Sequence, residues 1–213
     1  MSGVFITFEG GDGSGKSTQI RRLAEALRAA GADVVTLREP GGTEVGEGVR
    51  EMLLSPAHEQ MSPVAEFLLF AASRAELTLT VIKPALEVGR VVLDDRHADS
   101  SVAYQGYGRG LDLDTVCAIN SFATGGLVPD CTIVLDVEPT AGIAAATPAE
   151  ADRLEREEIS FHERVREGFL KIAEREPGRV KVIPRASADE VWAAVLKAVA
   201  PTLARAGITL DPQ

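Results

Sequence analysis

The glycine-rich stretch that begins at residue 5 constrains this chain more than any other part of its sequence. It reads FITFEGGDGSGKST, in which Gly10, Gly15, Lys16 and Ser17 satisfy the pattern G-x-x-x-x-G-K-[ST]. Glycines here let the backbone turn several N–H groups inward, and a following helix would add its positive dipole end. A glycine-rich turn that matches by chance is the alternative. The strand-like run before the glycines and the helical spacing after them favour a loop that holds a polyphosphate.

The side chains of this loop suit nucleoside-triphosphate chemistry. Lys16 is a flexible positive charge that can follow a phosphoryl group during its transfer, and the hydroxyl of Ser17 can bind Mg²⁺. The backbone amides around them would hold the phosphates. The residues predicted to bind the nucleoside triphosphate are Gly10, Gly11, Asp12, Gly13, Ser14, Gly15, Lys16, Ser17 and Thr18.

Length and charge narrow the class of protein. The chain has 213 residues, of which 45% are hydrophobic and 25% are charged, as in a globular domain with a substantial core. A net charge of −10 argues against a nucleic-acid partner and means that local positive groups must attract an anionic substrate. No apolar stretch is long enough to span a membrane, and no signal pattern opens the sequence. We therefore expect one domain over residues 1–213, in the cytoplasm and without a membrane partner.

Neither the cysteines nor the histidines are spaced like metal ligands. Cys117 and Cys131 lie far apart, and each sits in an apolar pattern that predicts a buried thiol. The three histidines are scattered along the sequence and predict no metal cluster.

Strand and helix patterns alternate along the chain, which predicts an α/β fold with a parallel sheet covered by helices on both faces. Strands are expected at residues 4–8, 33–37, 90–94, 131–135 and 180–183. Helices are expected from the glycine-rich loop to near residue 31, and at 45–54, 63–88 with a break near 84, 114–124, 139–146, 153–176 and 188–206. Ligands of such a sheet bind at the carboxyl ends of its strands.

The third predicted strand ends in a group of charged residues. Asp94, Asp95 and Arg96 follow its apolar run, near the place where the glycine-rich loop should lie. An aspartate at this position can hold Mg²⁺ directly or through water, and an arginine can bind a phosphate. A charged strand terminus without function is the alternative, but two acids and an arginine leaving a buried strand favour a site.

Five segments together resemble the thymidylate kinase family. They cover almost the whole chain in the order expected of that family, and the second and fourth are the most specific. They are EGGDGSGKSTQ at 9–19, REPGGT at 38–43, FAASR at 70–74, DRH with SSVAYQG between 95 and 106, and DRLE at 152–155. The resemblance implies a three-layer P-loop kinase fold with five parallel strands and a lid at about residues 142–156. It also implies a homodimer that uses ATP and Mg²⁺ to phosphorylate dTMP to dTDP for dTTP synthesis.

The resemblance also assigns roles to residues that bind the acceptor nucleotide. Phe70 would stack on thymine, whereas without the resemblance it would be taken for a core residue. Arg74, one helical turn later, would bind a thymine carbonyl rather than solvent. Arg38 and Arg96 would clamp the monophosphate. The remaining assignments are Asp12 near the sugar and phosphate, Tyr104 against the sugar 2′ position, Ser101 and Gln105 at the base or sugar, Glu39 in the same pocket, and Glu9 and Asp95 beside Ser17 at the metal.

The lid departs from the family pattern. Members with glycine at the place of Gly13 normally carry lid arginines, yet between residues 142 and 153 the only basic residue is Arg153. A positive group over the transferring phosphoryl increases the rate by several orders of magnitude. We therefore predict that Arg153, or else Arg156, moves over the phosphates, and that the catalytic residues are Lys16, Asp12, Arg96 and Arg153. A surface arginine paired with Glu157 is the alternative.

Two other functions compete with a dTMP kinase. The first is another nucleotide or nucleoside kinase of the same fold, which the pyrimidine-deoxynucleotide pocket formed by Phe70, Arg74 and Tyr104 disfavours. The second is a homologue that binds nucleotides but has weakened catalysis, as its arginine-poor lid suggests. Intact Lys16 and Ser17 oppose that second reading.

Overall fold

Five short apolar segments form a parallel sheet at the centre of the computed structural model, which describes residues 3–145 and 152–210. The strand order is β2-β3-β1-β4-β5, and every neighbouring pair is parallel. Crossovers between parallel strands require helices, which cover both faces and give three layers. The strands are β1 Val4–Glu9, β2 Val34–Arg38, β3 Val91–Asp95, β4 Cys131–Asp136 and β5 Val180–Pro184. The predicted α/β class and all five strands are confirmed.

The helices follow the sequence pattern, and side-chain caps fix where several of them begin. The side chains of Thr43, Ser62, Asp112 and Ser187 each accept a hydrogen bond from the first turn that follows. Ser187 and Glu190 form the predicted capping box. The helices are α1 Lys16–Ala29, α2 Glu44–Leu54, α3 Pro63–Leu77, α4 Lys83–Glu87, α5 Ala98–Ser101, α6 Leu113–Thr124, α7 Pro139–Ala145, α8 Ile159–Arg175 and α9 Ala188–Arg205.

Three parts of the helical prediction differ from the structure. The helix expected over 63–88 contains a π-helical segment, Thr78–Ile82, between α3 and α4. The helix expected at 153–176 begins only at Ile159, because Oδ1 of Asp152 accepts hydrogen bonds from two following N–H groups and holds a turn. Neither α5 nor the second π-helical segment that follows it, Val102–Gly108, was predicted. Residues 146–151, which include residue 146 of the predicted helix 139–146 and six of the fifteen residues of the predicted lid, lie outside the described residues.

The core forms two layers, one on each face of the sheet. On one face, α1 and α9 pack against alternate residues of β1, β3 and β4, such as Ile6 and Phe8. On the other face, Phe5 packs with Leu77 and Ile82, and α8 packs beside the second π-helical segment. The strand period of two explains this division. None of the described helices is both long enough and apolar enough to cross a membrane.

The two cysteines differ in environment. Cys131 is buried in β4, as predicted. Cys117 is exposed, which contradicts the prediction of a buried thiol. Helix α6 buries Val116, Asn120 and Ala123, and Cys117 lies one residue beyond that stripe, on the outer side of the helix.

Candidate active site

The glycine-rich loop connects β1 to α1 at the carboxyl edge of the sheet. Gly10, Gly13 and Gly15 all have positive φ, which only glycine adopts readily, and Gly15 caps the helix that starts at Lys16. The Lys16 ammonium is buried and donates to the carbonyl oxygens of Gly10 and Gly11 at 3.1 and 3.0 Å. Burial, reinforced by the charge of Arg96, lowers the pKa of Lys16 to about 8. The loop therefore presents the amides and the cation that phosphate binding requires. It is called the phosphate loop below and comprises residues 10–18.

Gly13 packs directly against the start of the predicted lid. A Cβ on Gly13 would overlap the carbonyl oxygen of Gly142 in α7, and a Cβ on Gly142 would overlap the carbonyl oxygen of Asp12. The contact between these two backbone segments therefore requires glycine on both sides.

Ser17 and Asp95 lie together at the place predicted for a metal. The Ser17 hydroxyl donates to Oδ2 of Asp95 at 3.3 Å, and both residues line the main cavity. Glu9, the third predicted ligand, is fully buried and accepts from the His97 amide and the Ser100 hydroxyl. Burial raises its pKa to about 7. Glu9 thus holds the segment after β3 in place through these hydrogen bonds. Ser17 and Asp95 instead line the cavity, where their hydroxyl and carboxylate oxygens are the hard donors that suit Mg²⁺.

Arg96 is held in a strained and heavily contacted position. Its φ is 75°, the only positive φ of a described residue other than glycine. Its guanidinium donates to Oδ1 of Asp12 at 2.7 Å and to the Gly10 carbonyl at 3.1 Å, and it lies 5.0 Å from the ring of Tyr104. Burial raises the pKa of the Asp12 carboxyl, but the charges of Arg96 and Lys16 outweigh that effect and lower it. Arg96, which was predicted to bind phosphate, therefore lies beside the phosphate loop and is held by the carboxylate of Asp12.

A cavity of about 470 Å³ opens in front of the loop, a volume suited to a small ligand. It brings together most of the predicted acceptor-binding residues, namely Asp12, Arg38, Glu39, Phe70, Arg96, Ser101, Tyr104 and Gln105. The phosphate-loop residues 13–18 line it as well. Arg38 is half exposed and currently pairs with Glu47 at 2.9 Å.

Several residues that line this cavity were not predicted from the sequence to do so. Arg50 on α2 lines it and donates to the Pro40 carbonyl at 2.9 Å. Asp152, Leu154 and Glu155, known beforehand only as a family motif, form another wall. The helical pattern of α2 did not indicate that Arg50 lines the cavity, because the direction of the Arg50 side chain depends on how α2 packs. With Lys16, three arginines now converge on one cavity of a chain whose net charge is −10.

Arg74 lies beneath the pocket instead of among the described residues that line it. Its side chain is 1% exposed, and it donates to Glu39 at 2.8 Å, to Ser101 at 2.9 Å and to Asn120 at 2.7 Å. Two of these partners, Glu39 and Ser101, do line the cavity. In this conformation Arg74 orients lining residues, and direct contact with a base remains a prediction.

His97 joins the same buried network, although no cluster of potential metal ligands was predicted around any of the three histidines. Its Nδ1 lies 2.8 Å from Oε1 of Glu39 and 3.6 Å from Asp94. These three side chains lie close enough together to hold a cation. Arg74 already places a positive charge beside Glu39, and the charge of Glu39 raises the pKa of His97 to about 9, so His97 supplies a second positive charge. The cluster therefore acts as a buried ion network with its own cations.

Arg153 does not face the phosphate loop. It is 5% exposed, donates to the Leu53 carbonyl at 3.0 Å and pairs with Oε2 of Glu66 at 2.7 Å. Glu157, the alternative partner considered for Arg153, pairs with Arg109 at 2.7 Å, so that pairing was wrong. A catalytic role for Arg153 stays a prediction that would require this buried pair to break.

A second cavity of about 190 Å³ adjoins the other side of the phosphate loop. It is lined by Gly13, Gly15 and Thr18, together with Pro184, Arg185 and other residues after β5. Pro184, Arg185 and Ala186 thus lie beside the phosphate loop.

A model of the family described as thymidylate kinase matches residues 8–194 of this chain. The chain is 51% identical to the thymidylate kinase of Deinococcus radiodurans over 199 residues, which cover 91% of this chain and 96% of that protein. It is 50% identical to the thymidylate kinase of Pelotomaculum thermopropionicum, with 95% of each chain covered.

Among solved structures, the crystal structure of thymidylate kinase from Ehrlichia chaffeensis matches with a TM-score of 0.77 and 37% identity. The match covers 92% of this chain and 98% of that one. The residues that the family model matches, 8–194, include the phosphate loop and the lining of both cavities. The chain therefore belongs to the thymidylate kinase family.

Proposed function

We propose that this enzyme transfers the γ-phosphoryl group of ATP to the phosphate of dTMP, forming dTDP and ADP. The observation that carries the proposal is that two cavities share the phosphate loop. Gly13, Gly15 and Thr18 line both the 190 Å³ cavity and the 470 Å³ cavity. A triphosphate held on the loop from one side would therefore end where an acceptor phosphate enters from the other.

The larger cavity has the chemistry of an acceptor site. Arg38, Arg50 and Arg96 supply positive charge for a monophosphate, and Phe70 supplies a flat apolar surface for a base. Tyr104 lines the same cavity beside Arg96, where its ring would crowd a sugar 2′-hydroxyl. This combination supports a pyrimidine deoxynucleotide.

Transfer requires little covalent help from the protein. An oxygen of the acceptor phosphate bonds to the γ-phosphorus while the bond to the β–γ bridging oxygen breaks, and ADP leaves with that electron pair. Lys16 would balance the charge of the moving phosphoryl group, and Arg96 would hold the acceptor. Asp12, ion-paired with Arg96 at 2.7 Å, would keep that guanidinium in place.

Mg²⁺ is the proposed metal, and Ser17 with Asp95 would hold it. When bound, it would neutralise part of the phosphate charge. Lys16, held by two carbonyl oxygens of the loop, would supply a further positive charge to the triphosphate.

The proposed enzyme is also a homodimer of the cytoplasm. Exposed apolar side chains on α3 and α6 support association, including Leu68 at 48% and Phe122 at 89% exposure. Analytical ultracentrifugation of Phe122→Glu beside the unchanged chain would test the dimer. A monomer in both samples would reject it.

The test of activity is ADP production from ATP and Mg²⁺ with dTMP, dUMP, dCMP, dGMP or no acceptor. We expect fast turnover with dTMP and weaker turnover with dUMP. Lys16→Ala should lower kcat by about 10²–10³ while dTMP still binds. Binding of dTMP without ADP release by the unchanged chain would favour the weakened homologue, for which no described residue gives evidence.

A further inference from the structure

Glu66 on α3 is a buried carboxylate that belongs to none of the predicted site groups. It is 0% exposed, and its partners Gln105, Arg109 and Arg153 all offer N–H donors. Nε2 of Gln105 donates to Oε1 at 2.9 Å, and Nη2 of Arg109 donates to Oε2 at 2.9 Å. Nη1 of Arg153 lies 2.7 Å from Oε2. A buried acid with three partners from two distant segments needs an explanation beyond stability.

The contact with Gln105 fixes the direction of an amide in the substrate cavity. An ionised carboxylate can only accept hydrogen bonds, so the NH₂ group of Gln105 must face Glu66. Gln105 is 1% exposed and lines the cavity, and with its NH₂ held at Glu66 its oxygen Oε1 is the acceptor that the amide can offer to a ligand. Glu66 therefore determines that Gln105 offers an acceptor.

The position of Glu66 is itself fixed. Arg153 also donates to the Leu53 carbonyl, and Arg109 also pairs with Glu157, so each arginine has a second anchor. Burial raises the pKa of Glu66, but the hydrogen bonds from Arg109 and Gln105 outweigh burial and lower it below its ordinary value. The carboxylate therefore stays charged and does not become a donor.

Glu66 also lies beside the surface expected to carry the base. Phe70 follows it by one helical turn on α3 and lines the same cavity as Gln105. Thymine and uracil carry an N–H at ring position 3, whereas cytosine has an acceptor there.

We propose that Glu66 is a positioning residue for base selection, which presents Oε1 of Gln105 to an imide N–H and so favours dTMP and dUMP over dCMP. The inference rests on the proposed function, because the base must lie between Phe70 and Gln105. The cost of the wrong base is an unpaired or repelled buried polar group, which discriminates strongly.

Glu66→Gln tests this role. Oε2 faces Arg109 and Arg153 at 2.9 and 2.7 Å, whereas Oε1 accepts from Gln105 at 2.9 Å and more weakly from Nε of Arg109 at 3.2 Å, so the new side chain would keep its oxygen at the Oε2 position and turn its NH₂ to Gln105. Gln105 would then reverse its amide and offer a donor to the base. We expect the ratio of kcat/KM for dTMP to that for dCMP to fall at least about tenfold, mainly through the KM for dTMP. A ratio unchanged in folded Glu66→Gln would overturn the proposal.

Glu157→Gln is the matched control. It removes a carboxylate from the same ion network, but that carboxylate bonds Arg109 rather than Gln105. A role of Glu66 in stability alone would make the two variants alike in selectivity, whereas we expect only Glu66→Gln to change the ratio. If Glu66→Gln does not fold, the double variant Glu66→Gln/Arg153→Gln is used instead, because it also removes the guanidinium that would lose its carboxylate partner. The ratio of kcat/KM for dTMP to that for dCMP in the double variant then tests the proposal in the same way.

Calorimetric binding of dTMP and dCMP without ATP separates this inference from the proposed function. An unchanged chain that binds dTMP but makes no ADP would overturn the kinase proposal. A binding ratio that still falls in Glu66→Gln would support the role of Glu66 even then.

Discussion

Nδ1 of His97 lies 2.8 Å from Oε1 of Glu39, and both side chains are almost fully buried. Burial alone would lower the pKa of His97, but the charge of Glu39 and the nearby carboxyl of Asp94 raise it to about 9. An imidazolium is therefore part of the folded structure at neutral pH, and its proton contributes to stability.

The free energy of unfolding should fall as the pH rises from about 6.5 to about 9. A raised histidine pKa gives stability that is fully present below the unfolded value of 6.5 and is lost as the pH passes the folded value of about 9. The expected loss is on the order of 2 kcal/mol. Burial raises the pKa of Asp94 to about 7, which removes stability with rising pH over a lower range.

Urea unfolding at several pH values, in the presence of EDTA, measures this dependence. His97→Gln should flatten the alkaline limb, and His58→Gln should leave it unchanged because His58 is exposed. An equal slope in His97→Gln would show that another group titrates.

Arg74→Met should destabilise the protein by about 3–5 kcal/mol, because it leaves the buried carboxylate of Glu39 with one cation fewer. Arg21→Met is the matched control. Arg21 pairs with Glu25 at 3.1 Å on the surface of α1, where solvent screens the charges. We expect no measurable change in the control, and comparable denaturation midpoints for the two variants would contradict the buried network.

Arg153→Ala should lower stability by about 3 kcal/mol, because Glu66 loses one of its two arginines while Arg109 remains. Thermal unfolding measures this change, and single-turnover kinetics on the folded variant measure the chemical step. A fall in that step of about 10³ or more would show instead that Arg153 leaves Glu66 and reaches the phosphates.

Gly13→Ala should weaken ATP binding and leave dTMP binding nearly unchanged. The new Cβ would overlap the Gly142 carbonyl and would sit on a residue with φ of 68°. We expect the Kd for ATP to rise about tenfold or more, measured by calorimetry. Gly11→Ala is the control, since nothing lies near a Cβ there. Equal effects of the two substitutions would rule out the packing against Gly142.

The phosphate loop, the five strands and the residues at the end of β3 could all be predicted from the sequence. Each depends on neighbours in the chain, namely glycines at fixed spacing, an apolar run of strand length, or charges that follow it. The family resemblance added Phe70, Tyr104 and Gln105, and the structure places all three at one cavity.

The directions of the long charged side chains were decided only by the tertiary structure. Arg74 shares a helix with Phe70, but its guanidinium donates a hydrogen bond to Glu39, which lies in the loop after β2. Arg153 forms an ion pair with Glu66, which lies 87 residues earlier in the chain. Local sequence fixes where a backbone bends and which residues are apolar. A buried charge takes whichever partner the packing of distant segments brings within hydrogen-bond distance, and nothing in its own segment encodes that choice.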